Sequence, residues 1–390
     1  LTNAIRCLEK LGQRLRKDKA MPDAAPPALN PIRVLVLTNT RQANRFTYYS
    51  PNEDPDPWRE YRLLGEHGMN LVLRDRTPLP WNPLARRHVF YAGLDPWRAL
   101  RILCFDRRVD LVLCVFENTA FFLVLLRRLF RFRPPIAILE ISPRGWRPRD
   151  LVLDWVMPRA DLVIALTRAQ ARYVETTWTL RHPPEVLDWV VDESYYEPRP
   201  TPEGGGYVLS VGEDISRDFS TLVAACAALD CELVIKTRKP VEIPPGMHAR
   251  VRIIGERLLY TAFRDLYAGA QVVAIPMVPT DNPGGISSLL EAMAMGRPVV
   301  ASETNTSREL MIDGETGLLV PPRDPAALRA ALQTLLQDAA LAARLGAAAR
   351  RRIEQRYGMA ARQPSFAAML RRFCGAPPWP AAAPSLPQSS

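Results

Sequence analysis

From Ile32 onward the chain alternates short, unbroken apolar runs with longer segments whose apolar residues recur every three or four positions. The runs IRVLVLT (32–38), MNLVLR (69–74), DLVLCV (110–115), IAILEI (136–141) and DLVIALT (161–167) lack in-out alternation. They therefore predict strands buried on both faces, as a parallel sheet requires. Residues 95–107, 119–131 and 168–178 between them have helical spacing. After the Pro- and Gly-rich stretch 198–206 the pattern starts again, with strands at 206–212, 231–237, 249–255, 271–276 and 298–302 and helices at 220–229, 258–268, 287–295 and 325–337. The expected architecture is α/β: two Rossmann-like, doubly wound domains, 32–198 and 199–373, the second closed by helices over 339–373. Residues 374–390, rich in Pro, Ala and Ser, predict a disordered tail. In open α/β sheets ligands bind beyond the carboxyl ends of the strands, so the cleft between two such domains is the expected site.

Composition narrows the partners. The 390 residues are 47% hydrophobic, enough for two cores, which excludes a disordered tail protein or a small disulfide scaffold. The net charge of +10 is uneven, with +8 of it in residues 1–200, so an electrostatic partner is expected to meet the first half. Only five of the 51 cations are Lys and 37 residues are Pro, which makes part of this basicity compositional bias. No basic-aromatic recognition motif is present, and nucleic acid is not an expected partner. Residues 1–19 space Ile5, Leu8, Leu11 and Leu15 between Arg and Lys as a basic amphipathic helix, joined by a Pro-rich linker through residue 31. That helix either packs on the body or rests on an anionic membrane surface. Phe121, Phe122, Leu126, Leu129 and Phe130, beside Arg127, Arg128, Arg131 and Arg133, allow the same two readings. The apolar stretch 111–126 is interrupted by Glu117 and Asn118, so a strand, a polar loop and a helix are expected there instead of a membrane span. Six scattered cysteines form no C-x2-C pair, and the first twenty residues lack the apolar core of a secretory signal. The expected location is cytoplasmic, including the inner face of the membrane.

The most informative segment is TDNPGGISSLLEAMAMGRPVVAS, residues 280–302. It follows a buried strand, turns through Gly284 and Gly285, and opens a helix at Ile286, Ser287 and Ser288. Glycines let the backbone approach a ligand, and the unpaired N–H groups of a first helical turn seat a phosphate. Glu291, one turn further in, is placed to accept hydrogen bonds from ribose hydroxyls. Taken alone, a turn, a cap and a solvated Glu would explain the same residues.

Leu289 to Ser302 resemble the helix-strand signature L-L-E-A-M-A-x-G-x-P-V-V-A-S of the retaining family-4 glycosyltransferases of the GT-B fold. Residues 308–328, with Asp313-Gly314-Glu315-Thr316-Gly317-Leu318-Leu319-Val320, are similar to the stretch that follows it in that family. Residues 161–174 and 191–198 resemble the last strand and helix of the N-terminal domain and the interdomain segment. The resemblance implies a nucleotide-sugar donor held by the second domain, an acceptor received by the first, and transfer with retention. It also implies an E-x7-E pair, whose first Glu contacts the donor sugar. Here Pro283 stands at that position, and Asp281 is the nearby carboxylate. Either Asp281 takes over the catalytic contact, or the contact is lost. The family's Gly-Arg at the end of the first strand is Gly212-Glu213 here. Arg217, with Lys236 second, is the candidate cation for the donor diphosphate, and a salt bridge to Asp214 or Asp218 is the alternative for Arg217. Such cations stabilise the departing diphosphate, so no metal or other cofactor is expected.

On the acceptor side the candidates are the strand ends at Thr38 to Arg41, Glu117 with Asn118, and Glu140 to Arg144, although Glu117 reads equally well as a helix cap. The expected function is transfer of a hexose-type sugar from a nucleotide diphosphate to a glycan, lipid-linked or small-molecule acceptor. The alternatives are a sugar-nucleotide-binding protein with degraded catalysis and a sugar-nucleotide epimerase.

Overall fold

The computed structural model describes residues 30–38, 55–56, 59–77, 93–140, 147–200, 206–279 and 284–379. The expected helix at 1–19 with most of its linker, Asp281, and the end of the tail lie outside the described residues.

The first domain is a six-stranded sheet of β1 (Ile32–Leu37), β2 (Met69–Arg74), β3 (Leu111–Phe116), β4 (Ile136–Glu140), β5 (Leu162–Ala165) and β6 (Glu185–Val186). Its order is β2-β1-β3-β4-β5-β6, and the pairings are parallel. Parallel strands need crossovers, and these are α1 (Arg59–Glu66), α2 (Pro96–Phe105), α3 (Glu117–Leu126), α4 (Arg147–Val156) and α5 (Arg168–Thr177). One face of the sheet is covered by α2, α3 and α4 through Ile102, Leu103, Leu123 and Leu153.

The second domain repeats the plan with β7 (Tyr207–Val211), α6 (Phe219–Cys226), β8 (Leu233–Lys236), β9 (Val251–Ile254), α7 (Tyr260–Gly269), β10 (Ala270–Ile275), α8 (Ile286–Ala294), β11 (Val299–Ser302), α9 (Asn305–Leu310) and β12 (Leu318–Val320). The strand order is β12-β11-β10-β7-β8-β9, again parallel. Three helices follow: α10 (Pro325–Gln337), α11 (Ala339–Arg352) and α12 (Met359–Phe373).

Three expectations are corrected. There is no polar loop between β3 and α3: the strand runs straight into the helix, and Glu117 and Asn118 form its first turn, 1% and 2% exposed. Residues 339–373 do not all close the second domain. After a π-turn at Ile353–Tyr357, α12 crosses back, and its Phe366, Ala367, Met369 and Leu370 join Val34, Leu64 and Leu111 in the first domain's core. The tail is ordered at least through Trp379, whose ring lies under Arg371 and against Gly68.

The two chain crossings between domains lie side by side. Val191 pairs in parallel with Gly358, donating to Tyr357 O at 3.0 Å and accepting from Met359 N at 3.1 Å. Arg59 of α1 clamps this joint through Asp192 and Glu193. From the other side, Arg350 Nη1 donates to the carbonyls of Glu193, Tyr196 and Ala294 at 2.8–3.0 Å.

Candidate active site

Three strands of the second domain, β7, β8 and β10, present their carboxyl ends side by side at the centre of the sheet. Two loops meet there. The loop after β7 is stitched to the segment after β10: Asp218 N donates to Pro276 O at 3.1 Å and Val278 N to Ser216 O at 2.9 Å. This brings Arg217 against the start of α8.

Arg217 is the centre of the arrangement. Its side chain is only 1% exposed. Nε donates to Asp214 Oδ2 at 3.0 Å, and Nη2 donates to the Ser288 hydroxyl. Nη1 is buried without a hydrogen-bond partner. Burial lowers the guanidinium pKa from its ordinary value, with Asp214 opposing. The expected salt bridge and the expected free valence for a ligand therefore coexist in one residue. Glycines make the space: a Cβ on Gly212 would fall 2.0 Å from Arg217 Nε, and one on Gly284 would fall 2.9 Å from Asp214 Oδ1. Gly285 caps α8 at φ +77°, the left-handed region that side chains disfavour.

The other sequence-named residues sort around this centre. Ile286 is buried and anchors the helix start in the core, while Ser287 is exposed, so of the two serines it is Ser288 that meets Arg217. Glu291 does not project as a solvated carboxylate. It accepts from Tyr267 Oη at 2.8 Å and from Tyr196, and burial pushes its pKa up from 4.5 to about 7. Lys236, 7% exposed, is neutralised by the residue that replaces the family's Arg: Glu213 lies 3.6 Å from its Nζ and 3.4 Å from Arg238 Nε. Glu213 also accepts from Arg238 N at 3.1 Å. Lys239, which the sequence reading passed over, donates to Asp214 O at 2.7 Å on the same rim.

On the first domain, Glu117 and Asn118 sit at the carboxyl end of β3 with their side chains buried. The residues following β1, β2 and β4, at 39–54, 78–92 and 141–146, lie outside those described. The buried Arg98 ties strand ends together, donating to Thr38 O at 2.8 Å and Arg74 O at 3.5 Å. Asp95 caps α2 and accepts from Thr77 N at 2.6 Å. Neither Arg98 nor Asp95 belongs to a motif, so only the folded chain identifies them. Another contact invisible in the sequence joins the domains: the Glu309 carboxylate, from α9, accepts from Arg168 N at 3.0 Å and Ala169 N at 3.1 Å, at the first turn of α5.

Two parallel Rossmann-like domains, with a Gly-lined cationic seat at one set of strand ends, define a GT-B protein. Solved structures agree. A sucrose-phosphate synthase from Thermosynechococcus elongatus superposes with a TM-score of 0.65 at 19% identity, covering 88% of this chain and 99% of its own. Anabaena HepE, solved with UDP and glucose, superposes at 0.62 and 17% identity, covering 87% of this chain and all of its own. Residues 215–338 match the model of the family Glycosyl transferases group 1, so the second domain is similar to that family, and together with the relatives below this makes the protein a glycosyltransferase. Among curated relatives, a lipopolysaccharide core biosynthesis mannosyltransferase of Rhizobium leguminosarum bv. viciae is 24% identical over 65% of this chain and 75% of its own length. A phosphatidyl-myo-inositol mannosyltransferase of Mycobacterium leprae (strain TN) is 44% identical, but over 20% of this chain and 21% of its own length.

Proposed function

We propose that the protein transfers a sugar from a nucleotide diphosphate to an acceptor hydroxyl, with retention of anomeric configuration. The observation that carries this reading is Arg217 Nη1, a buried guanidinium nitrogen without a partner beside the start of α8. An unsatisfied charged donor is costly in a folded protein, and a diphosphate oxygen supplies the missing acceptor. Gly284, Gly285 and the first-turn N–H groups of Ile286 and Ser287 complete the phosphate seat. Glu291 accepts from the ribose, and Asp281 takes the sugar-side contact in place of the missing Glu. The acceptor oxygen bonds to the anomeric carbon as the bond to diphosphate breaks, and the acceptor proton passes to a diphosphate oxygen. Closure of the cleft keeps water from intercepting the donor. No metal takes part in this scheme, so a chelator leaves the rate unchanged.

The donors bound by the solved relative HepE make UDP-glucose the first donor to try, and the two mannosyltransferase relatives add GDP-mannose. Arg217→Ala is expected to weaken nucleotide-sugar binding by about ten- to a hundredfold, from loss of a charge-assisted hydrogen bond of roughly 1.5–3 kcal/mol. Titration calorimetry reads this directly. Unchanged affinity in the variant would remove the basis of the proposal.

The neutralisation of Lys236 by Glu213 favours a second reading, a sugar-nucleotide binder without turnover. Incubation with labelled donor and detergent-extracted glycolipid separates the two: transfer or donor hydrolysis supports the enzyme, and binding without turnover supports the binder.

A further inference from the structure

The amino ends of the first domain's parallel strands form a face opposite the cleft. The helix ends and turns that lead into β3, β4 and β5 at this face, residues 105–110, 127–135 and 157–161, hold seven Arg against three Asp. At this end a depression of about 380 Å³ is lined by Arg33, Arg107 and Arg108, together with Phe105. Phe105 is 82% exposed, and Leu129, in the turn after α3, is 77% exposed. Arg107 Nη2 donates to the carbonyls of Phe130 and Arg131 at 3.0 and 3.1 Å, which fastens the end of α2 to that turn and makes the two parts one surface. Arg128, Arg131 and Arg133 are exposed on the turn. Of the nearby carboxylates, Asp106 is paired with Arg74 at 2.5 Å and Asp161 with Arg127 and Arg181 at 2.6 Å, while Asp110 accepts from Arg33 N at 2.8 Å and keeps its charge, so the arginines remain in excess.

Of the five apolar residues that allowed either a packed or a surface reading, Phe121, Phe122, Leu126 and Phe130 pack against the core and Leu129 is exposed, and Phe105, which the sequence did not single out, is exposed beside it. Arg131 adopts φ +49°, a left-handed position at which glycine would be unstrained. The chain also enters β1 at this same end.

We propose that this face docks on an anionic lipid bilayer, with phosphate headgroups meeting the arginines and Phe105 and Leu129 entering the interface. Exposed aromatic and aliphatic side chains among arginines that outnumber the carboxylates beside them complement a negatively charged interface better than a protein or a nucleic acid groove. The proposal is independent of the donor chemistry, because none of these residues lines the cleft.

The test is sedimentation of the full chain with vesicles of phosphatidylglycerol and phosphatidylcholine, compared with phosphatidylcholine alone and with high salt. Binding to the anionic vesicles, weakened by salt, is expected. Arg108→Glu/Arg128→Glu/Leu129→Ser is expected to lower partitioning at least about tenfold, since each basic residue near the surface contributes severalfold. Thermal melting and nucleotide-sugar affinity should remain those of the parent. Arg131→Gly provides an independent check: it relieves the left-handed strain, so it should melt no lower than the parent while binding about fivefold more weakly. The proposal is overturned if the parent ignores anionic vesicles, or if both variants bind like the parent, which would assign binding to residues 1–19.

Discussion

Arg217 and Glu291 show how single side chains set the chemistry of this cleft. Glu291 is held among Tyr267, Tyr196 and Arg217, and burial outweighs their help, so its pKa rises from 4.5 to about 7. Within that window the folded protein keeps a proton that the unfolded chain has released. Native stability therefore falls as pH rises from about 4.5 to about 7 and levels off above it. Glu291→Gln should flatten this slope in melts recorded across the window. Ribose hydroxyls donating to the carboxylate favour its ionised form, so nucleotide binding at about pH 6 should release a proton. Calorimetry in buffers of different ionisation enthalpy measures that proton, and uptake would contradict the assigned role. Gly212 acts by absence of a side chain: Gly212→Ala puts a methyl group 2.0 Å from Arg217 Nε. The variant should lose donor affinity as Arg217 does, at a stability cost of about 1–3 kcal/mol for overpacking, read from denaturant titration.

At the scale of elements, the site depends on how α8 begins. Six of the ten helices with a described N-cap start on a side-chain cap, such as Asp218 before α6, Thr304 before α9 and Asp324 before α10. The N-cap of α8 is Gly285, with no side-chain hydrogen bond. Its first-turn N–H groups are thus left to a ligand, where a capping Ser or Asp would have competed. Gly285→Asn should therefore tolerate the left-handed φ better than Gly285→Ala, which costs about 1 kcal/mol. Even so, it should weaken nucleotide binding more than its stability change explains, because its amide reaches into the phosphate seat. Parallel measurement of melting temperature and affinity for the two variants separates these effects. The direct join of β3 to α3 has the opposite result: it buries Glu117 and Asn118 in the domain instead of displaying them in a loop.

For the whole molecule, the decisive contacts are those that couple the domains. Tyr196 lies in the segment between them and hydrogen-bonds Glu291, so the proposed donor site and the joint share a residue. Glu309 reaches from the second domain to the first turn of α5, where a carboxylate is favoured by the helix dipole and by two unpaired N–H groups. Removing it in Glu309→Ala costs about 1 kcal/mol of interdomain contact. The expected outcome is a larger radius of gyration in solution scattering without nucleotide, with donor affinity per closed molecule unchanged. An unaltered scattering curve would show that the contact does not hold the domains.

The periodicity of the sequence by itself determined two parallel α/β domains, because a strand buried on both faces must be apolar at every position. The run 69–74 and the helix 325–337 were legible to the residue. The segment 280–302 likewise marked the glycine-led start of α8, where the phosphate seat is proposed, since a left-handed Gly285 and a helix opening are set by local backbone geometry. Short elements such as β6 and β12, two and three residues long, lack the length to show a period. Contacts between distant residues were not legible either: Glu213 neutralising Lys236, Tyr196 and Tyr267 on Glu291, Glu309 on α5, and α12 returning to the first domain. Those depend on which side chains the packed domains bring within 3–4 Å, and that is a property of tertiary structure alone.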